Sequence, residues 1–231
     1  MANNAVTSGH DPVTPKPLYV FEAPVRIWHW THALSIAVLC VTGYFIAYPL
    51  PAVGGEASDH FIMGNMRLIH FIAAYVFAIG FAVRIYWAFV GNKYSRELFI
   101  LPLWRGSWWR EFFEELKFYL FLRRTPPETI AHNPLAQTAM WLFNFILALF
   151  LIFTGFALYG EGLGDGSWAD RGFGWVIPML GDSLNVKMWH LTGMWLLIVF
   201  IIIHIYMAVR ADIMGRQSSI STIFGGWRFF R

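Results

Sequence analysis

His190 and His204 lie fourteen residues apart in one apolar stretch that runs from Met188 to Val209. In an α-helix, fourteen residues return to within about 40° of the same face. The helical rise of about 1.5 Å per residue separates the two imidazoles by roughly 21 Å along the axis. Ionisable side chains inside a membrane span are costly and usually functional. Two imidazoles in register therefore predict two stacked metal centres, for which haem iron is the natural candidate.

Composition places these histidines in a membrane protein. Of the 231 residues, 57% are hydrophobic and only 13% are charged, whereas a soluble domain carries about 25% charged residues. The net charge of +3 is too small to indicate a nucleic-acid partner. The single cysteine, Cys40, excludes a disulfide within the chain and a C-x-x-C-H haem attachment site. The first 24 residues are polar and lack the apolar segment of a signal peptide.

Four apolar stretches are long enough to cross about 30 Å of hydrocarbon. They predict an all-α integral membrane protein, a four-transmembrane-helix bundle, with spans at about residues 27–48, 68–90, 135–159 and 188–209. We expect a cytoplasmic arm over residues 1–24, a four-helix transmembrane domain over 25–225 and a cytoplasmic tail over 226–231.

Lysine and arginine set the expected orientation in the membrane. Most of them lie in the N-terminal arm, in the loop between spans two and three, and in the C-terminal tail. The positive-inside rule therefore predicts that both termini and the middle loop are cytoplasmic. Segments 50–66 and 160–187, which are acidic and rich in glycine, then face the opposite side.

The middle loop carries its own helical signal. Aromatic and aliphatic side chains from Trp108 to Leu120 interleave with charged residues, and Pro126-Pro127 ends the pattern. This alternation is typical of an amphipathic helix that lies in the membrane interface.

Topology sorts four histidines into two levels. His29 and His204 lie at the cytoplasmic ends of spans one and four, and His70 and His190 lie at the outer ends of spans two and four. A bis-histidine haem needs two neutral imidazoles from different helices, so each level supplies one ligand pair. His32 follows His29 by three residues on nearly the same face, and it could replace His29 as a ligand or hydrogen-bond a propionate.

Two further positions repeat the fourteen-residue spacing. Gly43 faces the same way as His29 at the outer level, where a residue without a side chain lets a porphyrin approach the backbone. Arg84 faces the same way as His70 at the inner level. We expect it to bind a haem propionate or a quinone oxygen, or else to extend to the cytoplasmic interface.

A Thr-Gly step recurs in three of the spans. It occurs at Thr42-Gly43, Thr154-Gly155 and Thr192-Gly193. Close helix packing explains the repeat as well as clearance for haem does.

Several of these segments resemble the b-type cytochrome subunit of membrane-bound nickel–iron hydrogenases. The resemblance covers roughly residues 18 to 225 and rests on the stretches 21–30, 66–70, 84–92, 94–99, 189–195 and 204–208. The runs Arg-Ile-Tyr-Trp-Ala-Phe-Val-Gly-Asn and Tyr-Ser-Arg-Glu-Leu-Phe are specific to the hydrogenase branch. The histidine pattern is shared with the wider group of bacterial cytochrome b561 and the formate dehydrogenase membrane subunit.

The resemblance implies a membrane anchor that carries non-covalent haem b. Its partners would be a large nickel–iron subunit and a small iron–sulfur subunit on the periplasmic side, in a complex that could form higher oligomers. Electrons would pass from the small subunit's iron–sulfur cluster, via one or two haems b, to quinone near the cytoplasmic side. Carried over to this chain, His70 and His190 would hold the outer haem, and His29 and His204 the inner one.

Two alternatives stay open at the level of the sequence. One is a stand-alone cytochrome b561-type quinol oxidoreductase, or the membrane subunit of another periplasmic dehydrogenase such as formate dehydrogenase. The other is a structural anchor whose histidines only pack. In each case, one cysteine cannot supply the ligands of a nickel site or an iron–sulfur cluster, so the chain does not activate hydrogen itself.

Overall fold

The computed structural model describes residues 17–51, 54–55, 60–125, 133–215 and 219–228. Most of the predicted N-terminal arm (1–16) and the end of the predicted tail (229–231) lie outside these ranges. Residues 52–53 and 56–59 of the first acidic segment, and Pro126-Pro127, also lie outside them. The prediction that these prolines end the amphipathic helix is wrong, because that helix already ends at Tyr119.

The described chain is helical, apart from two short strands. In order, the elements are β1 Leu18–Tyr19, α1 Ala23–Ala47, α2 Ile62–Val90, α3 Lys93–Arg96, α4 Gly106–Tyr119, α5 Pro134–Met140, a π-helical segment Trp141–Ile146, α6 Leu147–Leu163, α7 Trp168–Phe173, α8 Val176–Leu180, α9 Ser183–Gly215, α10 Ser219–Gly225 and β2 Trp227–Arg228.

The four predicted spans are confirmed, although their bounds differ from the predicted ones by up to six residues. Within the described ranges, four helices are long and apolar enough to cross a membrane: Ala23–Ala47, Ile62–Val90, Pro134–Leu163 and Ser183–Met214. The fourth begins five residues before the predicted start, because the Asp182 carboxylate accepts a hydrogen bond from the Asn185 amide at 2.8 Å and the helix therefore begins earlier. Hydropathy locates the lipid-crossing part of a helix, whereas capping determines where the helix begins.

Helix packing arranges the spans as two pairs. α1 packs along α2, and α6 packs along α9, while the pairs meet through α1–α9 and α2–α6 contacts. α2 and α9 therefore lie on one diagonal of the bundle. All four spans contribute to its central core, which contains Ile36, Phe77, Phe81, Ala148 and Leu197.

The two ends of the described chain meet at one end of the bundle. β1 and β2 pair antiparallel, with Leu18 opposite Arg228 and Tyr19 opposite Trp227. Nearby, the Glu22 carboxylate accepts hydrogen bonds from the Trp87 indole, the Asn92 backbone N–H and the Ser95 hydroxyl. The start of α1 and the end of α2 are thereby joined, and the segments before α1 and after α10 lie on the same side.

The predicted amphipathic segment forms a helix, α4. Its residues Trp108, Glu115 and Phe118 are buried, and the Trp108 indole donates to the Gln137 side chain of α5 at 3.1 Å. One face of α4 therefore packs on the protein, and its place at the cytoplasmic membrane interface stays a prediction.

Candidate functional site

The outer pair of predicted ligands lies on the diagonal helices of the bundle. His70 lies near the start of α2, and His190 lies near the start of α9, which follows the α7–α8 segment. The two side chains are close enough to interact electrostatically. The structure thus brings together the two residues that were predicted to share one site.

Each of these imidazoles makes the same contact with the preceding helix of its own pair. His70 Nδ1 lies 2.8 Å from Thr42 Oγ1 on α1. His190 Nδ1 lies 2.8 Å from Thr154 Oγ1 on α6. Both threonines are buried, whereas both histidine side chains are half-buried. One edge of each ring is therefore held by the protein, and the Nε2 atoms form no hydrogen bond with any described residue.

A glycine adjoins each of these two rings. A Cβ added to Gly43 would lie 3.3 Å from His70 Cε1, and one added to Gly155 would lie 3.2 Å from His190 Cε1. Both distances are shorter than ordinary van der Waals contacts. Gly43 was predicted to admit a porphyrin, and in this structure it makes room for the His70 ring. A side chain at either position would therefore force the adjacent imidazole to move by a few tenths of an ångström.

The inner pair of predicted ligands lies on neighbouring helices. His29 is in α1 and His204 is in α9, and these helices pack against each other. Both side chains are half-buried. The His29 ring meets Trp30 edge-on with centroids 5.0 Å apart, and the His204 ring lies 5.6 Å from that of Phe200. Aromatic neighbours thus accompany both imidazoles.

His32 points into the core of the bundle. Its side chain is 5% exposed, and its ring stacks on Phe77 at 4.2 Å and lies 4.8 Å from Trp28. The side chain of Asn144, from the π-helical segment, also faces it. Although His32 and His29 are one turn apart, their surroundings differ, since His32 is packed between aromatic rings.

Arg84 is a buried cation near the inner level. Its side chain is 3% exposed and therefore does not extend to the surface. Nη2 donates to the Ser95 carbonyl at 2.7 Å, and the guanidinium lies 5.3 Å from the Trp28 ring and 4.9 Å from the Phe99 ring. Its Nε and Nη1 atoms are buried without a hydrogen-bond acceptor among the described residues. A buried donor in this state is costly, so these atoms are suited to bind an acceptor oxygen.

Comparison with known proteins identifies the family. Residues 20–226 match the family model described as prokaryotic cytochrome b561. This chain belongs to that family. The match covers all four spans of this cytochrome and every residue that was predicted to form its sites.

Curated relatives of this cytochrome b561-family chain carry a consistent name. A protein from Azotobacter chroococcum mcd 1, "Probable Ni/Fe-hydrogenase B-type cytochrome subunit", is 59% identical over 214 residues, which is 93% of this chain and 89% of that protein. A protein of the same name from Cupriavidus necator is 52% identical over 227 residues, or 98% and 92% of the two chains. An Escherichia coli K12 protein, "Probable Ni/Fe-hydrogenase 1 B-type cytochrome subunit", is 52% identical over 214 residues, or 91% and 90%.

Membership of a cytochrome b family implies haem b, and the residues of the outer site fit this cofactor. Two imidazoles from diagonal helices leave their Nε2 atoms without protein partners, and a glycine adjoins each ring. In the described part of the cytochrome, histidine, cysteine and carboxylate side chains form no group of three or more that could hold a metal ion. A porphyrin supplies four ligands of its own, so two imidazoles would be enough to complete the coordination of a haem iron.

Sequence reasoning missed three residues of this site. Thr42, Thr154 and Gly155 contact the outer imidazoles, but the Thr-Gly repeat could be explained equally well by helix packing. The signal that could have identified them is the position of two Thr-Gly steps. One lies on α1, which packs along the helix of His70, and the other lies on α6, which packs along the helix of His190. The third step, Thr192-Gly193, lies on α9 itself.

Proposed function

We propose that this chain is the haem b-containing membrane anchor and electron-transfer subunit of a nickel–iron hydrogenase. It accepts electrons from the iron–sulfur cluster of a small subunit and delivers them to quinone. The names of relatives that are 48–59% identical over nearly the whole chain support the hydrogenase partner. The observation that carries the electron-transfer function is the pair of equivalent imidazoles on α2 and α9.

The ligand sets follow the two levels. His70 and His190 hold an outer haem, and His29 and His204 hold an inner one, with His32 as the alternative to His29. Bound haem b supplies a one-electron iron couple. The chain supplies the imidazoles, fixes their orientation, and surrounds them with apolar helices that exclude water.

The Arg84 guanidinium donates hydrogen bonds to an acceptor oxygen at the inner level. Its buried Nε and Nη1 atoms would donate to a haem propionate or to a quinone oxygen. A buried cation retains its charge more easily when such a partner offsets its desolvation.

The orientation follows from charge. Both termini face the cytoplasm of a bacterial inner membrane, and the α7–α8 segment faces the periplasm. The carboxylates of Asp165 and Asp182, which are exposed around α7 and α8, form part of the surface offered to the small hydrogenase subunit. This surface lies close in sequence to His190, so the electron donor would dock beside the outer site.

The direct test is the haem-to-protein ratio of the intact detergent-solubilised complex, combined with a redox titration. We expect His190→Ala to remove the outer haem, and His204→Ala to remove the inner haem while sparing the outer one. Unchanged haem content in His190→Ala would refute the ligand assignment. Loss of both haems in His204→Ala, with the helical content intact, would contradict separate sites.

The partner is tested by gentle extraction and affinity purification. We expect a nickel protein and an iron–sulfur protein to copurify with the chain. A preparation that contains haem and reduces quinone with no such partner would instead support the stand-alone quinol oxidoreductase.

A further inference from the structure

Two buried threonine hydroxyls each contact one of the outer imidazoles. Their other hydrogen bonds show which atom is the donor in the contact with the imidazole. Thr42 Oγ1 donates to the Val38 carbonyl at 2.7 Å. Thr154 Oγ1 donates to the Phe150 carbonyl at 2.8 Å. Each hydroxyl therefore uses its single hydrogen on the carbonyl four residues earlier in its own helix.

A hydroxyl that has donated its hydrogen can only accept further bonds. The contacts of 2.8 Å between these hydroxyls and the Nδ1 atoms of His70 and His190 therefore require Nδ1–H to be the donor. In a neutral imidazole one nitrogen carries the hydrogen and the other a lone pair. In both rings the lone pair is thus on Nε2, the atom without a hydrogen bond to the described residues.

We infer that Thr42 and Thr154 are paired positioning residues, which fix the tautomer of the two axial ligands and tune the iron that they hold. This inference rests on the proposed assignment of His70 and His190 as haem ligands. A partner that accepts from Nδ1–H orients the ring and raises its basicity as a ligand. A more basic imidazole stabilises ferric over ferrous iron, so both threonines lower the reduction potential of the outer haem.

The two threonine contacts have the same geometry, but the His70 ring also has the Leu39 backbone as a hydrogen-bond partner. Each threonine lies in the first helix of its pair, each contacts the histidine of the second helix, and both distances are 2.8 Å. Since both imidazoles would hold the same haem iron, removal of either threonine acceptor should raise the potential, and Thr42→Val should cause the smaller rise because the Leu39 backbone remains beside the His70 ring. Removal of both should raise it by about the sum, since the threonines belong to different helical pairs.

Thr192 offers a matched control on the same helix as His190. Its hydroxyl also donates to the carbonyl four residues earlier, that of Met188, at 2.8 Å. Its side chain is exposed and lines an apolar groove of about 330 Å³ between α6 and α9. Thr192→Val therefore makes the same chemical change without removing an acceptor from either imidazole.

The test uses the intact complex with Thr42→Val, Thr154→Val, the double variant and Thr192→Val. We expect the first two to raise the midpoint potential of the outer haem and to change its ferric low-spin EPR g values. The double variant should show about the sum of the two single shifts, and Thr192→Val should match the parent. Thr42→Ser and Thr154→Ser, which keep the hydroxyl, should restore the parental potential and spectrum.

The outcomes separate this inference from the proposed function. If His190→Ala loses the outer haem but both Thr→Val variants keep the potential and EPR spectrum of Thr192→Val, the ligand assignment stands and the positioning role is refuted. If a Thr→Val variant loses haem, recovery in the Ser variant supports the role, and failure to recover refutes it. If His190→Ala keeps its full haem content, the ligand assignment itself fails.

Discussion

Glu115 provides a test of the structure outside the membrane spans. It lies on the face of α4 that also buries Trp108 and Phe118, and its side chain is 2% exposed. Burial raises the pKa of Glu115 from 4.5 to about 7, and the positive charge of Arg123 partly opposes this effect. The carboxyl group therefore holds its proton in the folded protein at pH values where the unfolded chain has released it.

The sign and size of the effect follow from proton linkage. Below pH 4.5 the group is protonated in both states and does not affect the pH dependence of stability. As the pH rises from 4.5 to about 7, the unfolded state binds fewer protons than the folded state, so the free energy of unfolding falls. At about 1.4 kcal/mol per pH unit, the interval between the two pKa values corresponds to a loss of about 3 kcal/mol.

The substitution Glu115→Gln removes the titrating group. We expect the thermal midpoint of the variant, measured by circular dichroism in detergent, to rise relative to the parent as the pH increases from 4.5 to 8. For a chain of this length, about 3 kcal/mol corresponds to roughly 6–12 °C. Parallel pH curves for the variant and the parent would refute the reasoning.

Glu114 is the matched control, because it is adjacent and its pKa shifts in the opposite direction. It pairs with Lys117 and with Arg123 at 2.8 Å each. The hydrogen bond and charge of Lys117, together with those of Arg123, lower its pKa. Its stabilising contribution is present above the unfolded pKa and is lost as the pH falls. Glu114→Gln should therefore reduce stability near neutral pH and lose this effect in acid.

Three further outcomes follow from the contacts described above. Gly155→Ala places a Cβ 3.2 Å from the His190 imidazole and should lower the haem-to-protein ratio. Gly162→Ala should leave the ratio unchanged, because a Cβ at residue 162 would meet open space. Equal ratios in the two variants would contradict the close-approach argument. Glu22→Ala leaves three donors without their acceptor and should lower the free energy of unfolding by about 2–4 kcal/mol. Glu161→Ala loses one exposed hydrogen bond and should lower it by less than about 1 kcal/mol. Similar thermal midpoints for the two variants would argue against the Glu22 network. Arg84→Gln should reduce the thermal stabilisation produced by loading haem and quinone, and undiminished stabilisation would show that the guanidinium binds neither.

The spans were predictable because membrane crossing depends on local composition. About 20 consecutive apolar residues are sufficient to cross hydrocarbon, and each stretch can be read without knowing its neighbours. The bounds were less predictable, because α2 and α9 continue through polar residues such as Asn65 and Asn185. The amphipathic pattern likewise predicted the α4 helix, but not the burial of Glu115 against the rest of the chain.

Helical spacing, together with the alternating direction of the spans, predicted the levels of the histidines, since rise and turn angle are constant along a helix. It placed His70 and His190 at one depth, and His29 and His204 at another. It could not distinguish His29 from His32, because residues three apart share a face. Only the packing of α1 against α2 turned the His32 ring onto Phe77.

Only the tertiary structure decided which nitrogen of each outer imidazole is held. The Thr-Gly steps were visible in the sequence, but their use depends on how each helix is rotated about its axis against its neighbour. That rotation is set by side-chain packing between distant segments, which puts Thr42 against His70 and Thr154 against His190. The sequence alone therefore determined the residue types and the number of spans, and it predicted the depths of the histidines. Packing decided their partners, because a hydrogen bond between two helices depends on how each helix is rotated about its own axis. The sequence of one helix does not set that rotation.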